Sequence, residues 1–210
     1  MRRMTLNISA VVRRLAGVAR LAGLLGVAAG AAACGGGPLR RPAAPAPAGP
    51  RIVPLAELLV LQASGAPPRD TSVTFVQGQR RVILLQHASP DDVPFGELEF
   101  PSRAFPDSGA PVTVTVRPEP GAYALSVTSD VPWRAGLGTP TVRFSWPVHF
   151  VAPPAARERY ADAAAYARAL VVGHPRADGA VVLLPSMRPA LDNLQAPMPE
   201  PGRYLVAAPR

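Results

Sequence analysis

One stretch of the chain gathers the groups that hydrolytic enzymes use. His87-Ala88-Ser89-Pro90-Asp91-Asp92 places an imidazole, a hydroxyl and two carboxylates side by side. In acyl transfer an imidazole takes the proton of a hydroxyl nucleophile, and a carboxylate holds the imidazole in the right tautomer. Those groups must converge from separate elements beside oxyanion donors. Neighbours in one turn do not present that geometry, so the run reads as a Pro-Asp-Asp turn after a strand. A hydrolase built on His87 or Asp91 would need a distant carboxylate and a nucleophile brought to His87. The nucleophile-elbow pattern G-x-S-x-G is absent from the sequence.

Metal chemistry has few ligands to draw on. His87, His149 and His174 are far apart, and the one cysteine is Cys34. Zinc sites use spaced His/Cys sets. Asp91, Asp92, Glu97 and Glu99 offer oxygens, but the D-x-D-x-D-G spacing of a calcium loop is missing. No metal and no cofactor is expected. Trp133 and Arg134 sit together in a loop, Asp130-Val131-Pro132-Trp133-Arg134-Ala135-Gly136. An exposed pair of this kind would be a binding contact, with the indole as a stacking platform for envelope glycan.

These side chains need a scaffold, and its pattern has period two. Val112, Val114 and Val116 alternate with Thr113, Thr115 and Arg117. Tyr123, Leu125 and Val127 alternate with Ala124, Ser126 and Thr128. Val142, Phe144, Trp146, Val148 and Phe150 alternate with Arg143, Ser145, Pro147 and His149. Such alternation predicts strands with one wet face. It puts Trp146 in the core and His149 in solvent. Pro147 cannot donate to a ladder and marks a bulge or a free edge. Val82-Ile83-Leu84-Leu85 is continuously apolar and predicts a strand covered on both faces. From Pro153 to Leu170 helix formers dominate, with Tyr160, Ala163 or Ala164, Ala167 and Leu170 at helical spacing. Many short strands at close spacing predict an all-β body over 55–210, a sandwich or a barrel, with one inserted helix.

The segment before Cys34 differs in kind. Met1–Arg20 is basic, and Leu21–Ala33 is apolar but shorter than the about 20 residues that span a bilayer. This is the pattern of an export signal over 1–33. At Ala31-Ala32-Ala33-Cys34 the chain resembles the lipobox of bacterial lipoproteins. That resemblance implies cleavage before Cys34 and a covalent lipid on its thiol. It also implies a membrane anchor, with Gly35 after the cysteine favouring the outer membrane of a diderm cell. A Gly/Pro/Ala-rich tether over 34–54 follows, and its prolines make a semi-rigid spacer. The net charge of +8 does not belong to the body. Five of the 22 basic residues precede Cys34, leaving 17 against 14 acids, a balance of +3. That weakens a nucleic-acid reading, for which a basic stripe would be expected, and no nucleic-acid partner is expected. One cysteine also excludes an intrachain disulfide.

Within the body, Gly96-Glu97-Leu98-Glu99-Phe100-Pro101-Ser102-Arg103-Ala104-Phe105 resembles the "strand, then I-P-x-G-A-L" signature of the zonula-occludens/netrin-receptor (ZU-type) domain. Val112–Arg117, Thr141–Phe150, Val181–Pro185 and Arg203–Ala207 are similar to its later strands, in order. The resemblance implies an Ig-like, ZU-type antiparallel β-sandwich with one inserted helix, used in the family for contacts and spacing. Some relatives cleave themselves at His-Phe-Ser. Here Glu200-Pro201-Gly202-Arg203-Tyr204 has neither the hydroxyl nor the imidazole, so that activity does not carry over. The function expected from the sequence is a lipid-anchored, non-enzymatic envelope protein with a structural or interaction role. An envelope-glycan module and, last, a hydrolase are the alternatives. The expected partners are the membrane, through Cys34, and an envelope protein or glycan.

Overall fold

The computed structural model describes residues 50–133, 136 and 138–210. Cys34 and Arg134 lie outside the described residues. The larger sheet runs β1 (Arg51–Pro54), β12 (Ala180–Leu183), β11 (Val171–Pro175), β14 (Gly202–Pro209), β8 (Ala124–Ser129), β7 (Pro111–Pro118), β4 (Thr71–Val76). A short β2 (Leu58–Val60) also pairs with β14, beyond the point where β8 leaves it. The smaller sheet runs β13 (Asn193–Pro197), β9 (Thr141–Ser145), β6 (Pro94–Phe100), β5 (Arg81–Gln86). A two-stranded ribbon joins β3 (Gln62–Ala63) to β10 (Phe150–Val151). The pairings in both sheets and the ribbon are antiparallel.

The alternation accounts for the core. Val112, Val114 and Val116 of β7, Leu125 and Val127 of β8, and Tyr204 and Val206 of β14 point inward from the larger sheet. Ile83, Leu98, Val142, Phe144 and Leu194 meet them from the smaller one, and all join one buried cluster. The fold is therefore a sandwich-like pair of antiparallel sheets. On the wet face of the smaller sheet Arg143 stands opposite Glu97 in register, and their side chains form an ion pair at 2.6 Å. Gly96 faces Phe144, and a Cβ there would come within 2.9 Å of the Arg143 carbonyl, so β6 approaches β9 closely because this residue has no side chain.

Several expectations change. The doubly covered strand is β14, not Val82–Leu85. Leu205 and Ala207 belong to a second cluster on the outer face of the larger sheet, with Val53 and Leu58. The segment from β1 through a single 3-10 turn (Leu55–Glu57) to β2 supplies that cover. The tether expected over 34–54 is thus shorter, because Arg51–Pro54 pairs with β12 and buries Val53. β5 is an edge strand, and its Leu84 is 64% exposed.

The strand expected from the alternation of Val142 through Phe150 breaks in two. Val142, Phe144 and Trp146 are buried as the alternation requires, but Val148 is exposed and His149 is buried. Pro147 has no N–H to continue the ladder. The chain leaves β9 there, crosses to the ribbon and resumes in the opposite phase. The inserted helix is likewise two short ones, α1 (Pro154–Arg159) and α2 (Ala163–Ala169). Asp162 is extended and caps α2, its Oδ1 accepting the Ala165 N–H at 2.6 Å.

Candidate functional site

The phase change at Pro147 builds a polar cluster. The ribbon pairs Phe150 with Ala63, so His149 falls opposite Ser64 one step further on. The Ser64 N–H donates to the His149 carbonyl at 3.3 Å. Their side chains meet too, with Ser64 Oγ 3.2 Å from His149 Nδ1. Gly65 is necessary to this approach. It has φ +81°, and a Cβ on it would lie 2.6 Å from His149 Cε1.

The third member comes from the loop after β5. His87 and Val93 close that loop through an N–H···O=C bond of 2.9 Å. Inside it the Ser89 hydroxyl donates to Asp92 Oδ2 at 3.1 Å, which occupies that carboxylate locally. Asp91 turns the other way, and its Oδ2 lies 3.1 Å from His149 Nε2. The contact is off the N–H axis, so it is a close approach of the carboxylate to the ring edge rather than an aligned hydrogen bond. Ser64, His149 and Asp91 therefore stand in line, with the imidazole between hydroxyl and carboxylate.

His87 backs the group. Its ring centre is 4.3 Å from that of His149. Its Nδ1–H donates to the Ala66 carbonyl at 3.0 Å, which fixes the tautomer and ties the Ser64–Ala66 turn to the loop after β5. The remaining lone pair, on Nε2, is buried with no partner, as is the Tyr123 hydroxyl. Burial pushes the His87 imidazole below its ordinary range. The Ala66 carbonyl opposes that shift, His149 adds to it, and Asp91 opposes it. Burial pushes the Tyr123 phenol upward.

The expected convergence on His87 does not form among the described residues, where its ring meets the Ala66 carbonyl; Asp91 and the hydroxyl instead face the imidazole of His149. The hydroxyl is Ser64, not Ser89. Sequence reading missed both, because Ser64 and His149 are 85 residues apart and meet only through the ribbon. The acidic oxygens weighed for calcium are dispersed: Glu97 pairs with Arg143, and Glu99 pairs with Arg80 at 2.7 Å. Among the described residues no three His, Cys, Asp or Glu side chains are grouped to hold a metal. His174 is buried elsewhere, stacked on Tyr204 and 3.0 Å from Glu200.

Trp133 is not a surface contact. It is only 6% exposed, lies edge-on to Phe100 and Phe105, and donates its Nε1–H to the Met198 carbonyl at 2.9 Å. The loop turns inward because the indole fills the end of the sandwich and finds a carbonyl there. In comparisons with known proteins, no family model, no curated protein and no solved structure matches this chain.

Proposed function

We propose that this protein is a bacterial lipoprotein of the cell envelope, held in the membrane by lipid on Cys34. Its body would present an Ig-like, ZU-type sandwich as a structural or contact module. One observation carries the reading. A short apolar run ends in Ala31-Ala32-Ala33-Cys34, and a Pro-rich segment then leads into a folded body that starts at Arg51. Acyl chains on Cys34 contribute about 0.8 kcal/mol per buried CH₂, and two or three of them anchor stably. The ZU-type likeness is supported by the placement of its matched pieces, which fall largely on β6, β7, β9, β12 and β14. The burial of Trp133 takes the stacking ring away from the glycan alternative, which favours a protein partner.

Metabolic labelling with a palmitate analogue tests the anchor. The wild-type protein should take the label and partition with membranes, and Cys34→Ser should lose both properties. A wild-type protein released in soluble, unlabelled form would overturn the proposal. Cross-linking in the native envelope then identifies the partner.

A further inference from the structure

The geometry points to an acyl-transfer site in the body, with Ser64 as nucleophile and His149 as its base, taking a carboxylic ester as substrate. This goes beyond a contact role and is independent of the anchor. Ser64 is exposed, while His149 is only 9% exposed and is held from both sides. With Nε2–H facing Asp91, the Nδ1 lone pair at 3.2 Å is free to accept the Ser64 proton. Triads more often use the ring the other way round, with Nε2 toward the hydroxyl. Either nitrogen serves, because the neutral ring carries one N–H and one lone pair, and whichever nitrogen holds the lone pair can accept the proton. Asp91 is a positioning residue: its negative charge 3.1 Å from Nε2 favours a proton on that nitrogen and stabilises the positive charge that forms on the ring. The N–H groups of Gly65 and Ala66 meet no acceptor among the described residues. They directly follow the nucleophile, and the first is in the place that supplies an oxyanion donor in nucleophile-elbow enzymes.

The step balances without a cofactor. Ser64 Oγ bonds to the carbonyl carbon as its proton passes to His149 Nδ1. The C–O bond to the alcohol breaks, and the departing oxygen takes that proton. Water then attacks the acyl-Ser64 ester, again losing a proton to His149, and Ser64 leaves with it. The products are the acid and the alcohol, and the enzyme is regenerated.

Full-length protein in detergent, incubated with an alkyl fluorophosphonate, provides the test. Intact mass should show one phosphonyl adduct, and peptide mapping should place it on Ser64. Ser64→Ala, an exposed change, should keep the wild-type circular dichroism melt and take no adduct. His149→Gln should slow labelling at least about 100-fold. Asp91→Asn should slow it and alter its pH profile while leaving the melt unchanged. A wild-type protein that takes no adduct overturns the proposal. So does an adduct on another serine, or one on Ser64 that forms as fast without His149. None of these results would alter palmitate labelling, so the anchor stands or falls separately.

Discussion

The imidazole of His87 lies 4.3 Å from that of His149, centre to centre, with the ring planes tilted by 49°. Burial disfavours the cationic form of His87, and His149 beside it adds to that effect. Among the described residues Asp91 is the carboxylate in contact with the pair, and Tyr123, whose ring packs edge-on against His87, is kept neutral by burial.

That arrangement gives stability a pH dependence with a definite sign. The His87 proton affinity is lowered in the folded state, chiefly by burial. Below the ordinary histidine value of about 6.5 the unfolded chain therefore binds more protons than the folded one. The contribution is fully present above that value and is lost as pH falls through it toward the folded-state value. Urea midpoints should drop between about pH 7.5 and 5.5, and His87→Gln should flatten that drop. A midpoint that rises on acidification in this window would contradict the assignment.

Phe144 and Arg143 test the phase of β9. Phe144 is fully buried against both sheets, so Phe144→Ala should cost about 3–5 kcal/mol through lost transfer energy and the cavity left behind. Arg143 lies on the other face, partly exposed and paired with Glu97. A pair of this kind contributes about 0–1 kcal/mol, so Arg143→Ala should fall in that range. Urea melts of the two variants decide it, and equal losses would mean that the outer face of the smaller sheet is not wet.

Much of this scaffold was legible, and the failures have physical causes. Val112–Val116, Leu125–Val127 and Val142–Trp146 declare their faces by alternation, because each strand has one covered side. Alternation could not announce that Pro147 would shift the phase, which is why His149 read as solvated. Continuous apolarity marked Val82–Leu85 as doubly covered, yet cover depends on what lies outside a strand. In this fold the β1–β2 segment lies over β14 instead. The helix break was written in Asp162, a capping residue in the middle of an alanine-rich run, but the period masked it. Ser64 carried one faint signal, the glycine directly after it. Its partnership with His149 is a matter of ribbon register, which no local pattern encodes.

Trp133 should behave as a core residue in solution. Both tryptophans of the chain are buried, Trp146 at 4% exposure. Emission should therefore be blue-shifted and poorly quenched by acrylamide until the protein unfolds. Trp133→Phe keeps most of the apolar bulk but leaves the Met198 carbonyl without its donor, at a cost of about 1–3 kcal/mol. Strong quenching of the folded protein would return Trp133 to the surface and reopen the glycan reading.

Arg188 offers a last test, at the end of α2. The final carbonyls of a helix have no partner within it, and a cation placed beside them also opposes the negative end of the helix dipole. Arg188 Nη2 donates to the carbonyls of Ala167, Arg168 and Leu170 at 2.7, 3.2 and 2.8 Å. Removing the guanidinium in Arg188→Met should cost about 1 kcal/mol, since water can reach part of the helix end. Arg188→Lys keeps the charge but presents a compact ammonium in place of the planar group, so it should recover only part of the loss. The dipole share should shrink in high salt and the hydrogen-bonded share should persist. Urea melts of both variants at low and high salt separate the two. A neutral Arg188→Met would mean that solvent already satisfies those carbonyls, and that α2 is held by its Asp162 cap and the burial of Tyr166.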